Sequence, residues 1–502
     1  MREASHLRRR YRVIASHVGL IAGLVGIVML TPVLTILAWS LEGRSAAAFL
    51  GPGLVLLVGG FGAWRSRPRD AAVLSLAEGG VIVLLSWVVA GLAGAVPFLV
   101  IERLTPTQAL FESVSGWTTT GLSVVDVTRA HPAILLWRST MQLAGGAGLA
   151  ILMLATIRGP GGVSFSAAEG RADQLVPNVR ASAHLVMRIY VGAVTVGVLA
   201  LRGAGMAWFD AINHSFCALS TGGFSTRVES IGHWRSPAVE AVTIVLMLVG
   251  GLNFITAWCL LRRRFAAFVR NGEIRLTAVL VPICAILLFA LTCAPLYGSL
   301  SKAARVAIFE TVTALTTTGY STVGYGDWNA FGMLVLVVLM LIGAGTCSTG
   351  GAMKQHRVYL LFRTLASELR RPFRPRTAVT DESIWQGEER VSVSDAHLRV
   401  VIAFVFIYLV TWLVGAGVLA AHGYGFEASM FEFASALGTV GLSVGVTSPS
   451  APSLVLWTEI AGMLLGRLEF FVIFASAGKL VRDGLRMRSR PRPIDGLGAT
   501  DV

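Results

Sequence analysis

Four thirteen-residue segments of this chain are versions of one phrase, and that repetition constrains the fold more than any other feature. They read "FESVSGWTTTGLS" (111–123), "NHSFCALSTGGFS" (213–225), "FETVTALTTTGYS" (309–321) and "FEFASALGTVGLS" (431–443). All align without gaps, with Gly at the eleventh place and Ser at the thirteenth. The glycines Gly121, Gly223, Gly319 and Gly441 are spaced by 102, 96 and 122 residues, and each copy lies between two apolar runs. Phe-Glu opens three copies; the second has Asn213-His214 there. The repeating unit is therefore helix, short half-helix with loop, helix, written four times.

Composition says what surrounds these units. The 502 residues are 54% hydrophobic and only 14% charged, with a mean hydropathy of +0.70. Runs such as "VIVLLSWVVAGLAGAVPFLV" (81–100) match the roughly 20 residues a helix needs to cross a hydrocarbon core. This is a polytopic helical membrane protein rather than a soluble one. Its net charge of +14 sits in clusters at 2–12, 65–69, 261–275, 368–376 and 479–492. Alternating the spans puts these clusters on one side, so both termini are expected in the cytoplasm, in the cell inner (plasma) membrane. The basic excess is topology, which argues against a nucleic-acid partner. The apolar run at about 13–40 is too long for a signal peptide and reads as a retained helix. Cys217, Cys259, Cys284, Cys293 and Cys347 show no CxxC spacing, so neither a zinc site nor a disulfide framework is expected. No HExxH or paired buried carboxylates occur, which favours a transporter over an enzyme, with no organic cofactor in the chain.

The phrase itself has the physics of a pore loop. "FExxxxL" is long enough for about two helical turns and too short to span. Re-entrant backbone is tolerated at membrane depth only where protein or a water-filled cavity surrounds it. The small Thr and Gly residues that follow let successive carbonyls turn toward an axis, and a ring of carbonyls replaces the hydration shell of a monovalent cation. Helix C-termini aimed at that ring add partial negative charge. The expected ion-binding set is Thr119, Thr120 and Gly121; Thr221, Gly222 and Gly223; Thr317, Thr318 and Gly319; and Thr439, Val440 and Gly441. Beside the third copy lies "TVGYGD" (322–327), which spells the filter string of tetrameric potassium channels. Ring closure needs one strand per repeat, and the equivalent positions read "VVDVTR" (124–129), "TRVESI" (226–231) and "VGVTSP" (444–449). "TVGYGD" is therefore expected as an exit loop on the outer side.

These residues resemble the TrkH/KtrB/HKT superfamily of potassium-uptake proteins. The resemblance extends to "WRSTMQLAGGAG" (137–148), "MLVGGLNF" (247–254), "GTCSTGGAMK" (345–354) and "MLLGRLEFF" (463–471), the segments after the four loops. Two extra N-terminal helices, about 13–40 and 47–64, look like the TrkH branch. The resemblance implies an all-α polytopic membrane protein with ten spans, its four tandem helix–pore loop–helix repeats set around a central pore. It divides the chain into an extension (1–70), repeats at 71–160, 161–262, 263–365 and 366–490, and a tail (491–502). It also implies K⁺ uptake, with K⁺ at the filter residues, and a homodimer in the lipid bilayer. Separate cytosolic RCK-type subunits would bind NAD(H) or adenine nucleotides, since the largest cytoplasmic loop here, about 363–398, is too short for such a domain. Serine at the first glycine goes with sodium permeation in plant relatives, so Gly121 implies K⁺ preference. Gly438-Thr439-Val440 departs from the Thr-rich pattern of the other copies.

Two further features are expected to gate the path. The segment from Asn329 to Phe362 would make a helix of roughly 50 Å, longer than a bilayer needs. Its middle holds Gly345, Thr346, Cys347, Ser348, Thr349, Gly350 and Gly351, which reads as an intramembrane loop beneath the filter, or else as a close-packed small-residue interface. Arg467, near the middle of the last span, reads as a cation in the permeation path, or as a packing residue paired with Glu469 or a carbonyl. Glu112, Glu310 and Glu432 are expected to satisfy groups behind the filter, with Lys354 either pairing with them or anchoring the cytoplasmic side. "LAGGAGLAIL" (143–152) reads as helix packing. A transporter built on inverted repeats is disfavoured, because the four loops share one orientation.

Overall fold

The computed structural model describes residues 2–37, 43–67, 74–147, 179–373, 383–386 and 389–488. The expected boundaries at 70/71 and 160/161, the residues 148–152 and the tail 491–502 lie outside them. Within the described residues the chain is helical apart from one hairpin, Ser383–Gln386 paired with Glu389–Ser392.

Two helices, Arg2–Leu30 and Gly43–Arg65, form the N-terminal pair. Glycines bring them together: a Cβ at Gly26 would lie 2.6 Å from Gly53 O, and one at Gly53 would lie 3.0 Å from Leu30. The pair docks on the first repeat and on the last helix through the Arg10–Glu78 ion pair and a Tyr11 hydroxyl that donates to Asp483 at 3.1 Å.

Each repeat then opens with a long helix: Leu76–Val100, Val179–Gly203, Gly272–Leu288 (continued by turns to Leu296) and Asp395–Ala421. Short helices follow at Pro106–Trp117, Trp208–Leu219, Leu300–Leu315 and Phe426–Gly438. These are 12 to 16 residues long rather than about two turns, because their start signals lie upstream of the Phe-Glu phrase. Thr105 forms a capping box with Gln108 ahead of Pro106, and Ser299 caps the third. At roughly 18–24 Å they still fall short of a crossing.

The second helices are Pro132–Ala147, Pro237–Gly251, Ala330–Ile342 and Ser453–Arg467. A break was expected only in the third repeat, yet the second and fourth are also broken. Phe254–Leu261 follows Gly251 after a two-residue interruption, and Phe470–Met487 leaves Arg467 at 106°. Arg467 thus ends the first half of this bent pair, at the break between its two helices. The expected boundary at 365/366 falls inside the helix Gln355–Arg370, while that at 262/263 follows the end of Phe254–Leu261.

Six described helices are long and apolar enough to cross a membrane unaided. The other four expected crossings fall on the second helices, of which the first is described to Ala147 and the other three are short or broken. Large apolar residues on the long helices, such as Val196, Ile286 and Phe406, are exposed on the outside of the bundle, as lipid requires. The chain is a multi-pass membrane protein.

Candidate functional site: a four-strand ring and the loop beneath it

The four copies of the phrase fold alike at the backbone. Each short helix ends in a threonine with left-handed backbone: Thr119 (φ 58), Thr221 (52), Thr317 (55) and Thr439 (52). The amide of the next residue bonds back into the helix, Thr120 to Ser115 O (2.9 Å), Gly222 to Cys217 O (2.8 Å), Thr318 to Thr313 O (3.0 Å) and Val440 to Ser435 O (2.8 Å). Glycine normally occupies that position in such a helix ending. A non-glycine residue there costs on the order of 1–2 kcal/mol, and the chain accepts the cost four times. Two residues later the glycine common to the four copies is again at positive φ: 91 at Gly121, 72 at Gly223, 80 at Gly319 and 100 at Gly441.

These strands close on one another. A Cβ on Gly121 would collide with Gly222 O, one on Gly223 with Thr318 O, one on Gly319 with Val440 O, and one on Gly441 with Thr120 O. Each of these glycines faces the carbonyl of the next repeat, and the fourth returns to the first. The structure thus brings together all twelve expected ion-binding residues. The neighbouring "TVGYGD" is elsewhere. Gly324 and Gly326 stand in open space and line a vestibule over the ring with Asp327. Asp126, across the vestibule, is held below the usual carboxylate range by the hydroxyl and amide of Thr128.

Behind the ring, the recurring acid and the recurring serine turn out to be one clip. Glu112 accepts from Ser123 Oγ (2.9 Å) and Val124 N (2.9 Å), and Glu432 from Ser443 Oγ (2.6 Å) and Val444 N (2.9 Å). In the second repeat His214 Nε2 meets Ser225 Oγ at 3.0 Å, so the imidazole takes the acid's place. In the third the clip shifts by one residue: Glu310 accepts from Thr322 N (2.9 Å) and Oγ1 (2.8 Å), and from the Tyr325 hydroxyl at 2.6 Å. Tyr325, the aromatic of "TVGYGD", therefore braces the short helix of the third repeat from behind. Tyr320 also faces outward, donating to His214 O (3.2 Å) and Phe224 O (3.3 Å).

Two residues of "WRSTMQLAGGAG" matter that sequence reasoning had not singled out. Arg138 pairs with Glu112 at 2.7 Å in a fully buried contact, donates to Ser225 O (3.1 Å), and stacks 3.9 Å over the Phe224 ring. Gln142 reaches the second strand. An intramembrane arginine was a usable signal; nothing local marked its partner.

The loop from Gly343 to Lys354 interrupts the third repeat's second helix directly under the ring. Thr349 Oγ1 lies 3.1 Å from Thr221 Oγ1 and donates to Leu219 O and Gly250 O. A Cβ on Gly350 would meet Thr317 Oγ1 at 2.5 Å, and one on Gly351 would run into Thr439 Oγ1. The hydroxyls of Thr119, Thr317 and Thr439 are buried without a protein partner. Gly345 N bonds Gly251 O (3.0 Å), Thr346 N bonds Glu273 Oε1 (2.7 Å) and Cys347 O accepts from Phe254 N (3.4 Å), while Ser348 Oγ donates to Gly345 O (2.6 Å). Arg467 holds the loop through Thr349 O and the bundle through Gly145 O at 2.6 Å. Glu469, the other partner considered for it, is taken by Arg357 at 2.7 Å. The Lys354 ammonium donates to Gly350 O of its own loop. Gly145 in "LAGGAGLAIL" packs against Trp117 O, as helix packing requires.

The chain's similarities agree with this geometry. Residues 54–483 match the family model described as "TrkH: Cation transport protein". The chain is 32% identical over 480 residues to the Trk system potassium uptake protein TrkH of Salmonella typhimurium, covering 92% of this chain and 97% of that one. It is 28% identical to the Trk system potassium uptake protein TrkG of Escherichia coli, covering 92% and 96%. The crystal structure of the potassium transporter TrkH from Vibrio parahaemolyticus superposes with a TM-score of 0.79 at 31% identity, covering 92% of this chain and 98% of that one.

Proposed function

Because this chain belongs to the TrkH family of cation transport proteins, we propose that it takes K⁺ into the cell through the four-strand ring. The observation that carries this reading is the closed succession of glycine-to-carbonyl contacts, 121 to 222, 223 to 318, 319 to 440 and 441 to 120. A ring of backbone oxygens stands in for the water around a monovalent cation. Below it, the threonine hydroxyls at 119, 317 and 439 supply further neutral oxygen ligands. The left-handed threonines are strained, and strain of this kind persists where the surroundings over-determine it for a purpose.

In the same reading the loop 343–354 is the gate. It fills the space under the ring, and its glycines and small polar residues leave little side-chain bulk to move aside. Arg467 latches it with charge-assisted hydrogen bonds and places a positive charge beneath the filter, opposing K⁺ until the latch opens. The resemblance supports a homodimer in the inner membrane with both termini cytoplasmic. It also supports separate RCK-type nucleotide-binding subunits meeting the basic inner loops.

Rubidium uptake into proteoliposomes, with Na⁺ as competitor, tests the reading. Uptake that Na⁺ does not suppress is expected; Na⁺ competing on equal terms would sink a K⁺-selective ring. Arg467→Ala is expected to raise the uptake rate about tenfold or more, since each charge-assisted bond to a loop carbonyl is worth about 1.5–3 kcal/mol. Arg467→Lys should fall between the two, because an ammonium cannot bridge the loop and the Gly145 carbonyl as a guanidinium does. A folded Arg467→Ala protein with slower uptake would remove the latch from the account.

A further inference from the structure

The second filter strand lacks the internal supports of the others. In repeats 1 and 4 a serine of the short helix accepts from the filter glycine, Gly121 N to Ser115 Oγ at 3.0 Å and Gly441 N to Ser435 Oγ at 2.9 Å. In repeats 1 and 3 two threonine hydroxyls bracket the left-handed turn, Thr118 with Thr120 and Thr316 with Thr318, both at 2.8 Å. Repeat 2 has Cys217 where the serine stands and Gly222 where the second threonine stands. Gly222 has no side chain to bracket the turn, and the Cys217 thiol is only a weak hydrogen-bonding group, set against the Phe224 amide and the Ser139 and Tyr320 hydroxyls.

Gln142, on the second helix of repeat 1, fills the gap. Its side chain is fully buried. Its amide nitrogen donates to Gly222 O, and its oxygen accepts from Phe224 N at 3.2 Å. Only one orientation of the amide satisfies both partners. The carboxamide therefore straddles Gly223 as a peptide group of a neighbouring strand would, holding the carbonyl before it and the amide after it. Gly222 is what lets it lie so close: the three nearest atoms to a Cβ there all belong to Gln142. The backbone at Gly222 is not at positive φ, so the glycine is there for space and not for conformation.

We propose that Gln142 is the positioning residue of the second filter strand and sets how well the ring discriminates K⁺ from Na⁺. The proposal rests on the reading of the ring as a cation filter. Discrimination between ions requires all four strands to hold their carbonyls at one spacing. An unsupported second strand relaxes toward whichever ion is present. Mere loss of folded protein scales both fluxes together and leaves their ratio alone, so the ratio separates positioning from stability.

The test compares Rb⁺ and Na⁺ uptake in proteoliposomes for Gln142→Ala, Gly222→Thr and the two combined. Gln142→Ala is expected to lower the Rb⁺/Na⁺ ratio about tenfold, within the reach of one ordinary hydrogen bond. Gly222→Thr alone should do the same by pushing the amide away. The combined variant should recover to within about twofold of wild type, because the new hydroxyl can bracket the turn with Ser220 as Thr120 does with Thr118. Gln142→Met, close in shape, serves if the alanine variant does not insert. An unchanged ratio in Gln142→Ala or Gln142→Met, or a double variant no better than Gln142→Ala, overturns the proposal. Gly319→Ser in the same assay is the control: if it too leaves the ratio unchanged, the filter reading itself falls, and this proposal with it.

Discussion

Gly319→Ser is expected to abolish the preference for Rb⁺ over Na⁺, while Gly324→Ala leaves it within about twofold of wild type. The two glycines are five residues apart and could hardly differ more. Gly319 is held at φ 80, and a Cβ there would drive into Val440 O of the next strand. The left-handed backbone alone costs a non-glycine residue about 1–2 kcal/mol. Displacing the neighbouring carbonyl adds to that at the place where ions would be distinguished. A tenfold loss of discrimination is therefore a lower estimate. Gly324 has an ordinary φ and nothing within 4 Å, so a methyl group there meets only the vestibule. Should Gly324→Ala be the variant that loses selectivity, "TVGYGD" and not "TTTGYS" touches the ion, and the fourfold register is wrong.

Arg138→Met is expected to be the most destabilising single change in the site, by about 3–5 kcal/mol, read as a lower inactivation temperature in detergent. It leaves the Glu112 carboxylate buried with only Ser123 Oγ and Val124 N for company. It also removes the bond to Ser225 O that ties the first strand to the second. Combining it with Glu112→Gln should recover part of the loss, since the amide oxygen can accept from Val124 N while its NH2 donates to the Ser123 hydroxyl, which can turn to accept. Glu310→Gln should cost far less than Arg138→Met, because Glu310 is balanced by the neutral donors Thr322 and Tyr325 instead of a cation. Equal stability of Arg138→Met and wild type would mean that the pair contributes nothing once formed.

The parts of the site legible in the sequence were those the chain repeats. Four aligned glycines placed the ring, and the eleven-residue interval from Glu112 to Ser123, or Glu432 to Ser443, contained the clip before its geometry was known. The Gly-rich interruption at 343–354 stood out because no bilayer needs so long a helix. The unread parts occur once. Gln142 meets a strand 80 residues away, Tyr320 reaches His214 across 106 residues, and Arg467 joins the loop to Gly145, 322 residues distant. Hydrophobic periodicity carries no information about such pairs, since a buried polar residue reveals its partner only when the helices that carry both have packed. The breaks after Gly251 and Arg467 escaped notice for a related reason. Their flanking helices are apolar enough to read as continuous, and the glycines nearby approach other helices' carbonyls that no local pattern displays.

By itself, then, the sequence determined the number of units, their common orientation, the lipid-facing composition and the residues of the ring, because each follows from local chemistry repeated in register. Tertiary structure decided which strand supports which. It gave Glu112 to Arg138, Glu469 to Arg357, and Lys354 to its own loop. It also tied "TVGYGD" back to the short helix of its own repeat by bonding Tyr325 to Glu310, leaving its glycines along the vestibule. The physical reason is that four similar units need not be supported alike. A ring requires equal strands at its centre, but the polar groups behind each strand are satisfied by whatever neighbour lies within hydrogen-bonding reach, and only packing chooses that neighbour.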